Sequence, residues 1–172
     1  DFDELEVEKL MLQNGEEFVL PKKFDEELMY LIGFVFGDGN ISVEDQRGLV
    51  RISNSNKNML RDLQDIVKDK FDKKVEIEEQ EERVPYIRIY SRTIAKFFEN
   101  LGMCSPKEGL KLDSKLTTAE NADAFIRGLF DADGSVISRD NGSDSIQYST
   151  ISHKLADQVQ LMIETYGAKS RK

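Results

Sequence analysis

One cysteine, one histidine, fewer basic than acidic side chains and no long apolar run set the first limits on this 172-residue chain. A lone Cys104 cannot build an intrachain disulfide framework and fits a reducing compartment, so it reads as a small loop or core residue. His153 stands at a predicted helix start and reads as a surface or capping residue rather than a general base. A bilayer-spanning helix needs roughly 20 consecutive apolar residues, which no segment approaches, and no signal-peptide pattern opens the chain. The expectation is one cytoplasmic unit with no membrane partner, long enough to bury a substantial core. The net charge is −9, which sits poorly with nucleic-acid binding, where a basic footprint is usual. The excess is local, however. Residues 1–28 hold ten acidic and three basic side chains, a charge of −7, which leaves −2 for the other 144 residues. A nearly neutral remainder can still present a basic face.

What is present is a repeat. Leu31–Gly39 (LIGFVFGDG) and Ile126–Gly134 (IRGLFDADG) are apolar stretches with Gly at the third position and Asp-Gly at the end. Each carries a second small residue four positions after its first Gly: Gly33 with Gly37, and Gly128 with Ala132. On a helix these lie one above the other, so each segment has a small-residue stripe along which two backbones can approach closely. The last helical residue of each is then Asp38 or Asp133, followed by Gly39 or Gly134 in a position suited to left-handed backbone. A carboxylate at a helix C-terminus opposes the macrodipole, and two brought together repel further. A bound cation offsets that cost, so the pair reads as a metal site made by two helices.

Both stretches resemble the LAGLIDADG motif of homing endonucleases, the second almost letter for letter at its end (GLFDADG). The first departs where Phe36 replaces the intermediate Asp, matched by Asp131 in the second copy; it keeps the terminal Asp38. Two copies, with Asp38 and Asp133 separated by 95 residues and similar sequence downstream of each, make the resemblance specific.

The order of elements repeats as well. An acidic lead-in segment, 1–27, is either a strand pair or a remnant of a neighbouring domain. The first repeat, 28–102, follows. Its motif helix starts in Phe24-Asp25-Glu26-Glu27, with acids where the dipole favours them. Strands are predicted over 40–43 and 49–54, a helix over 57–71, strands over 75–79 and 86–90, and a closing helix over 93–101 stopped by Gly102. Residues 103–122 form a linker ending at a cap, Thr118. The second repeat, 123–172, has its motif helix, strands near 135–138 and 145–151, a helix over 154–166 stopped by Gly167, and the start of a third strand in 168–172. The fold class is therefore α+β: two pseudo-symmetric αββαββα repeats with paired motif helices at the centre, the second incomplete by some thirty residues against the first.

The resemblance implies a curved sheet in each repeat that straddles double-stranded DNA and reads base edges in the major groove. In 86–90, Ile87 and Ile89 alternate with Tyr86, Arg88 and Tyr90, giving a core face and an aromatic, basic face. Val50 and Ile52 face the helices while Arg51, Ser53 and Arg47 point away. Arg92, Arg139 and Gln147 complete the candidate DNA contacts; in the second copy either Gln147 and Ser149 or Tyr148 and Thr150 face outward. Glu76 and Glu78 fall on the exposed face too, against the trend. The catalytic candidates are Asp38, Asp133 and Lys107, with Lys111 the second choice for the lysine the family places after a repeat's closing helix. The implied cofactor is Mg²⁺ (or Mn²⁺), held by Asp38 and Asp133 with the backbone carbonyls of Gly37 and Ala132.

Other readings are weaker. Asp131-Ala132-Asp133-Gly134 lacks the later ligands and bidentate Glu of an EF-hand, Gly37-Asp38-Gly39 is no phosphate-binding fingerprint, and the charged run over 68–82 reads as solvated surface. Residues 17–21 and 152–171 look similar to archaeal intein endonucleases. The chain as given starts without a Cys or Ser nucleophile and ends without a His-Asn pair, so it does not splice itself; a splicing domain would belong to a parent protein. The expected function is metal-dependent double-strand cleavage at a long asymmetric DNA site, by a monomer since both motifs lie in one chain. The alternative is a degenerate, non-cleaving LAGLIDADG nucleic-acid-binding module, maturase-like or regulatory.

Overall fold

The first apolar stretch forms a helix with almost no polar side. In α1 (Glu26–Asp38), Leu28, Met29 and every residue from Leu31 to Gly37 are buried, as befits a helix that other elements surround. Its start is fixed by Asp25, whose carboxylate accepts the Leu28 N–H at 2.9 Å. The computed structural model describes residues 10–11, 17–18, 20–21, 23–138 and 144–172. Within the lead-in segment, β1 (Leu10–Met11) and β2 (Glu17–Phe18) pair antiparallel. The other residues of 1–19, and Arg139, lie outside the described residues.

Along α1 runs α5 (Ala122–Asp133), in the most extensive helix contact of the described residues. A Cβ built on Gly33 would come within 3.0 Å of the Phe125 carbonyl oxygen and 2.9 Å from the Leu129 nitrogen. A Cβ on Gly128 would meet the Tyr30 carbonyl and stand 3.0 Å from the Phe34 nitrogen, and one on Gly37 would lie 2.5 Å from the Cβ of Ala132. The backbones therefore touch, and the contacts exchange: 33 meets 125 as 128 meets 30, the signature of a two-fold axis between the helices. The same exchange accounts for Phe36. Phe36 packs edge-on against Phe125 with centroids 5.6 Å apart, while its counterpart Asp131 accepts a hydrogen bond from Tyr30 at 3.0 Å. Phe36 is 1% exposed, where a carboxylate without a partner would be costly; Asp131 lies at the surface.

In the first repeat, α1 runs directly into β3 (Gly39–Val43) and β4 (Gly48–Ser53), then α2 (Lys57–Phe71), β5 (Ile77–Glu78), β6 (Tyr86–Tyr90) and α3 (Arg92–Asn100). The sheet is antiparallel with order β3-β4-β6-β5. Ile41, Val50, Ile52, Ile87 and Ile89 face the core, covered by α1, α2 and α3. The second repeat continues α5 into β7 (Gly134–Ile137), β8 (Ser145–Tyr148) and α6 (His153–Thr165), which packs on α5. Between the repeats lie a 3-10 turn at Lys107–Gly109 and α4 (Ser114–Thr117). Met103, Leu110, Leu112 and Leu116 bury this segment in the core. Gln158 straps it down by accepting the Leu112 N–H at 2.7 Å and donating to its carbonyl at 2.9 Å.

The structure corrects five expectations. Gly39 and Gly134 are not left-handed but extended (φ −86° and −82°) and open the strands; glycine is required there because a Cβ would collide with the Val35 or Phe130 carbonyl one turn back. Thr118 ends α4 and does not cap α5, which starts after Asn121. Ser152, not His153, caps α6, its hydroxyl accepting the Leu155 N–H. Residues 168–172 form no strand: β5 of the first repeat exists by pairing with β6, and no counterpart of β6 is present among the described residues. Tyr86 keeps its place on the outer face of the sheet but is 3% exposed rather than open to solvent, because the Arg51 guanidinium covers its ring. No helix among the described residues is long and apolar enough to cross a membrane.

Substituting Gly33 or Gly128 with alanine forces the two backbones apart. Each change is expected to lower unfolding free energy by more than about 2 kcal/mol, read from urea denaturation midpoints at unchanged slope.

Candidate active site

The two-fold axis brings the C-termini of α1 and α5 together, so Asp38 and Asp133 share one end of the helix pair. Each is held at a joint, the helix ending on the aspartate and a strand starting on the next residue. The Asp133 Oδ2 stands 3.4 Å from where a Gly37 Cβ would be; the missing side chain leaves the carboxylate its room. Asp38 Oδ2 accepts a hydrogen bond from Asn54 Nδ2 at 2.6 Å. Asn54 is itself fixed, since its Oδ1 accepts the Asn56 N–H at 2.8 Å and its own N–H donates to the Pro85 carbonyl. Lys107, on the 3-10 turn, donates its ammonium to the Gly37 carbonyl.

The electrostatics follow from crowding like charges at packed helix ends. Asp38 is half-buried, and burial pushes its carboxyl above the usual range; the Asn54 hydrogen bond opposes this and the charge of Asp133 adds to it. Asp133 is more exposed, and desolvation against the helix pair raises it too, with Lys107 opposing. Burial pulls the Lys107 ammonium down, while Asp133 and Asp38 pull it back up. One lysine thus faces both aspartates. No cluster of three His, Cys, Asp or Glu side chains that could hold a metal occurs among the described residues. Two carboxylates nonetheless suit a small hard cation that keeps several waters and completes its shell with substrate phosphate. Lys107 donates to the Gly37 carbonyl, so a cation held there would have to share that oxygen with the lysine.

A family profile described as the LAGLIDADG-like domain matches residues 25–102 and 120–172, both repeats and both aspartates. The chain belongs to this family. Among solved structures, the LAGLIDADG-like fold here is similar to that of I-DmoI in complex with DNA and Mn, at a TM-score of 0.61 and 16% identity, covering 85% of this chain and 80% of that one. It is also similar to the homing endonuclease I-WcaI bound to its DNA recognition sequence, at 0.58 and 11%, covering 83% and 68%. Among curated proteins, an A-type ATP synthase subunit of Methanopyrus kandleri is 30% identical over 144 residues, 84% of this chain. The Replication factor C small subunit of Methanocaldococcus jannaschii is 23% identical over 146 residues. The chain spans only 13% and 8% of the lengths of these two relatives.

On the LAGLIDADG-like sheet, strand register sorts the remaining candidates. Arg51 lies between Asn40 and Arg88, Ser53 lies opposite Tyr86, and Leu49 lies opposite Tyr90, all on the face away from the helices. Tyr90 is exposed, whereas Arg51, Ser53 and Arg88 are half-buried. Glu78, the residue against the trend, pairs with Tyr86 across β5 and β6 and binds Arg88 through both carboxylate oxygens. Arg47 is exposed in the β3–β4 turn. Arg92 sits at the start of α3 instead, donating to the Glu44 carbonyl at 3.2 Å. Gln147 pairs with Ser135 on the face opposite Val136, Ile146 and Tyr148, and Tyr148 packs against Phe130. Lys111 is exposed in the inter-repeat segment, its N–H toward the Gly102 carbonyl.

The sequence assigns no role at the site to three residues here, two of which it offers only as an alternative outward-facing pair in the second repeat. Asn54 is one. Thr150 is its counterpart, its hydroxyl accepting the Ser152 N–H as Asn54 accepts that of Asn56. Tyr148 is the third; burial pushes its phenol up to about 12, the Thr150 hydrogen bond opposes this, and the charge of Asp133 adds to the rise. The sequence signal is a side-chain acceptor two residues before each helix cap, Asn54-x-Asn56 and Thr150-x-Ser152, visible only once the repeats are aligned.

Because the Asn54 hydrogen bond favours ionised Asp38, Asn54→Ala is expected to move the Asp38 titration further upward in metal-free protein and leave Asp133 in place, as followed by carboxyl-carbon NMR. A raised folded-state pKa means that the folded chain binds more protons than the unfolded one between the ordinary carboxylate value and the raised value. Stability therefore falls as pH rises through that window. Asp38→Asn and Asp133→Asn are each expected to raise the melting temperature at pH 7 without metal, with the advantage gone below the unfolded carboxylate pKa.

Proposed function

We propose that this chain is a site-specific endonuclease that hydrolyses both strands of a DNA duplex. The observation that carries the reading is the pair of carboxylates, Asp38 and Asp133, set at one end of the paired helices with a single half-buried lysine against them. Proteins of the same fold have been solved with DNA and with Mn, which supports a duplex partner and a divalent cation. Asp38 and Asp133 would hold Mg²⁺ or Mn²⁺, with Gly37 and Ala132 carbonyls at hand. A cation there supplies a polarised phosphate and a more acidic attacking water. The protein does the rest. Asn54 fixes the Asp38 carboxylate, Lys107 offsets charge building on the phosphate, and the sheet face bearing Arg51, Arg88 and Tyr90 sets the duplex across the helix ends. Gln147 and Arg47 extend that surface. The two-fold axis offers one aspartate to each scissile strand, and both motifs come from one chain, so a monomer forms the site.

We also infer that the segment is a mobile insert within a longer host protein. An ATP synthase subunit and a replication factor subunit both match it, each over a small fraction of its length, as expected of a module carried by unrelated hosts. That supports an intein origin, with splicing elements belonging to the parent.

With Mg²⁺ and a plasmid library, the chain is expected to make site-specific double-strand breaks. Asp38→Asn and Asp133→Asn should abolish them, and Lys107→Met should slow them by about 100-fold or more. Specific binding without cutting by the unaltered chain would establish the non-cleaving module instead, and no binding would remove the reading.

A further inference from the structure

The two arginines at the centre of the outer sheet face are directly opposed in register, Arg51 on β4 and Arg88 on β6, yet their environments differ. Arg88 is engaged. Its Nε donates to Glu78 Oε1 at 2.7 Å and its Nη2 to Glu78 Oε2, a two-pronged pairing that uses its donor fork. The strength of that pairing shows on the acid, whose carboxyl is held below the usual range, first by Arg88. Arg51 has no such partner. No carboxylate among the described residues is within ion-pair distance of it, and its Nε is sheltered from solvent with no acceptor. Its guanidinium lies over the Tyr86 ring, 4.0 Å from the centroid. The ring beneath is pinned in turn, since the Tyr86 hydroxyl accepts from Gln80 at 3.0 Å and donates to Glu78 at 3.3 Å.

The terminal nitrogens of Arg51, unlike its Nε, are not sheltered from solvent and donate to no described residue, so a ligand arriving on this face can accept from them. The Tyr86 ring beneath limits how the guanidinium can turn, and a planar fork matches the paired O6 and N7 acceptors of guanine in the major groove. We propose that Arg51 is a base-reading residue that specifies one guanine in the recognised duplex, while Arg88, occupied by Glu78, reads no base. This rests on the duplex-binding function proposed above and assigns a division of labour within the sheet. Phosphate binding would need only charge; base reading needs the fork.

The test is selection from a randomised duplex library with Ca²⁺ in place of Mg²⁺, comparing the unaltered chain with Arg51→Lys, Arg88→Lys and Tyr86→Phe, each checked for an unchanged circular dichroism spectrum. Arg51→Lys keeps the charge and loses the fork. It should erase a guanine preference at one position, worth about 5- to 150-fold, with the salt dependence of binding unchanged. Arg88→Lys should leave that guanine preference in place, and so should Tyr86→Phe, which keeps the ring. The proposal is overturned if Arg51→Lys selects the same sequences with uniformly weaker binding, or if the guanine preference is lost in Arg88→Lys alone. Specific selection by the unaltered chain with no guanine dependent on Arg51 sinks this assignment but not duplex binding; the absence of any duplex binding sinks both.

Discussion

Backbone-to-backbone contact between α1 and α5 is the constraint on which the rest of the molecule depends. It works only because Gly33, Gly37, Gly128 and Ala132 carry little or nothing beyond the backbone at the crossing. Close approach brings two helix ends to one place, and the strands that leave those ends without an intervening turn take their positions from it. The sheet of the first repeat, the turn that carries Lys107 and the two aspartates are all referred to the same axis. A shift of either helix would move every one of them.

That geometry has an electrostatic cost that is left in place. Two carboxylates at the C-terminal ends of two dipoles are disfavoured by charge, dipole and desolvation at once. A packed core contributes enough apolar burial to tolerate this, and α1, buried from Leu31 to Gly37, is part of it. Lys107 and Asn54 soften the cost at Asp38 without removing it. The halves are related by symmetry and are not equal. Asp38 has an amide donor; its partner has a buried phenol nearby and a threonine in the place of the asparagine. The axis also pairs Phe36 with Phe125 and Asp131 with Tyr30, the same contact written once in aromatic packing and once in a hydrogen bond.

The sheet resolves the difficulty posed by an acidic chain. Overall charge says little about a surface on which Glu78 is consumed by Arg88 and Arg51 is left unpaired over Tyr86. Local pairing, not the sum, decides which charges a duplex would meet. The apolar residues Val136 and Ile146 of the second sheet are 69% and 70% exposed, whereas their counterparts Ile41 and Val50 are buried beneath α3. The difference lies in the covering layer and not in the residues themselves.

Local pattern was enough for much of this. Two Gly-x-x-x-small stripes ending in Asp-Gly, the 3.6-residue period of α2 and the alternation of β6 depend on neighbours in sequence, and from them the α+β order and both aspartates can be read. The sequence also set Lys107 within a short segment. Tertiary structure alone decided what involves partners far apart in the chain: that Asn54 reaches Asp38, that Lys107 rather than Lys111 turns to the helix ends, that Glu78 disarms Arg88, and that Tyr86 lies hidden beneath Arg51. Residues 168–172 fail to form a strand for the same reason, since a strand is a relation between two segments and no second segment is there among those described. Periodicity is local and travels with the sequence; pairing, burial and charge compensation exist only once distant residues have been brought together.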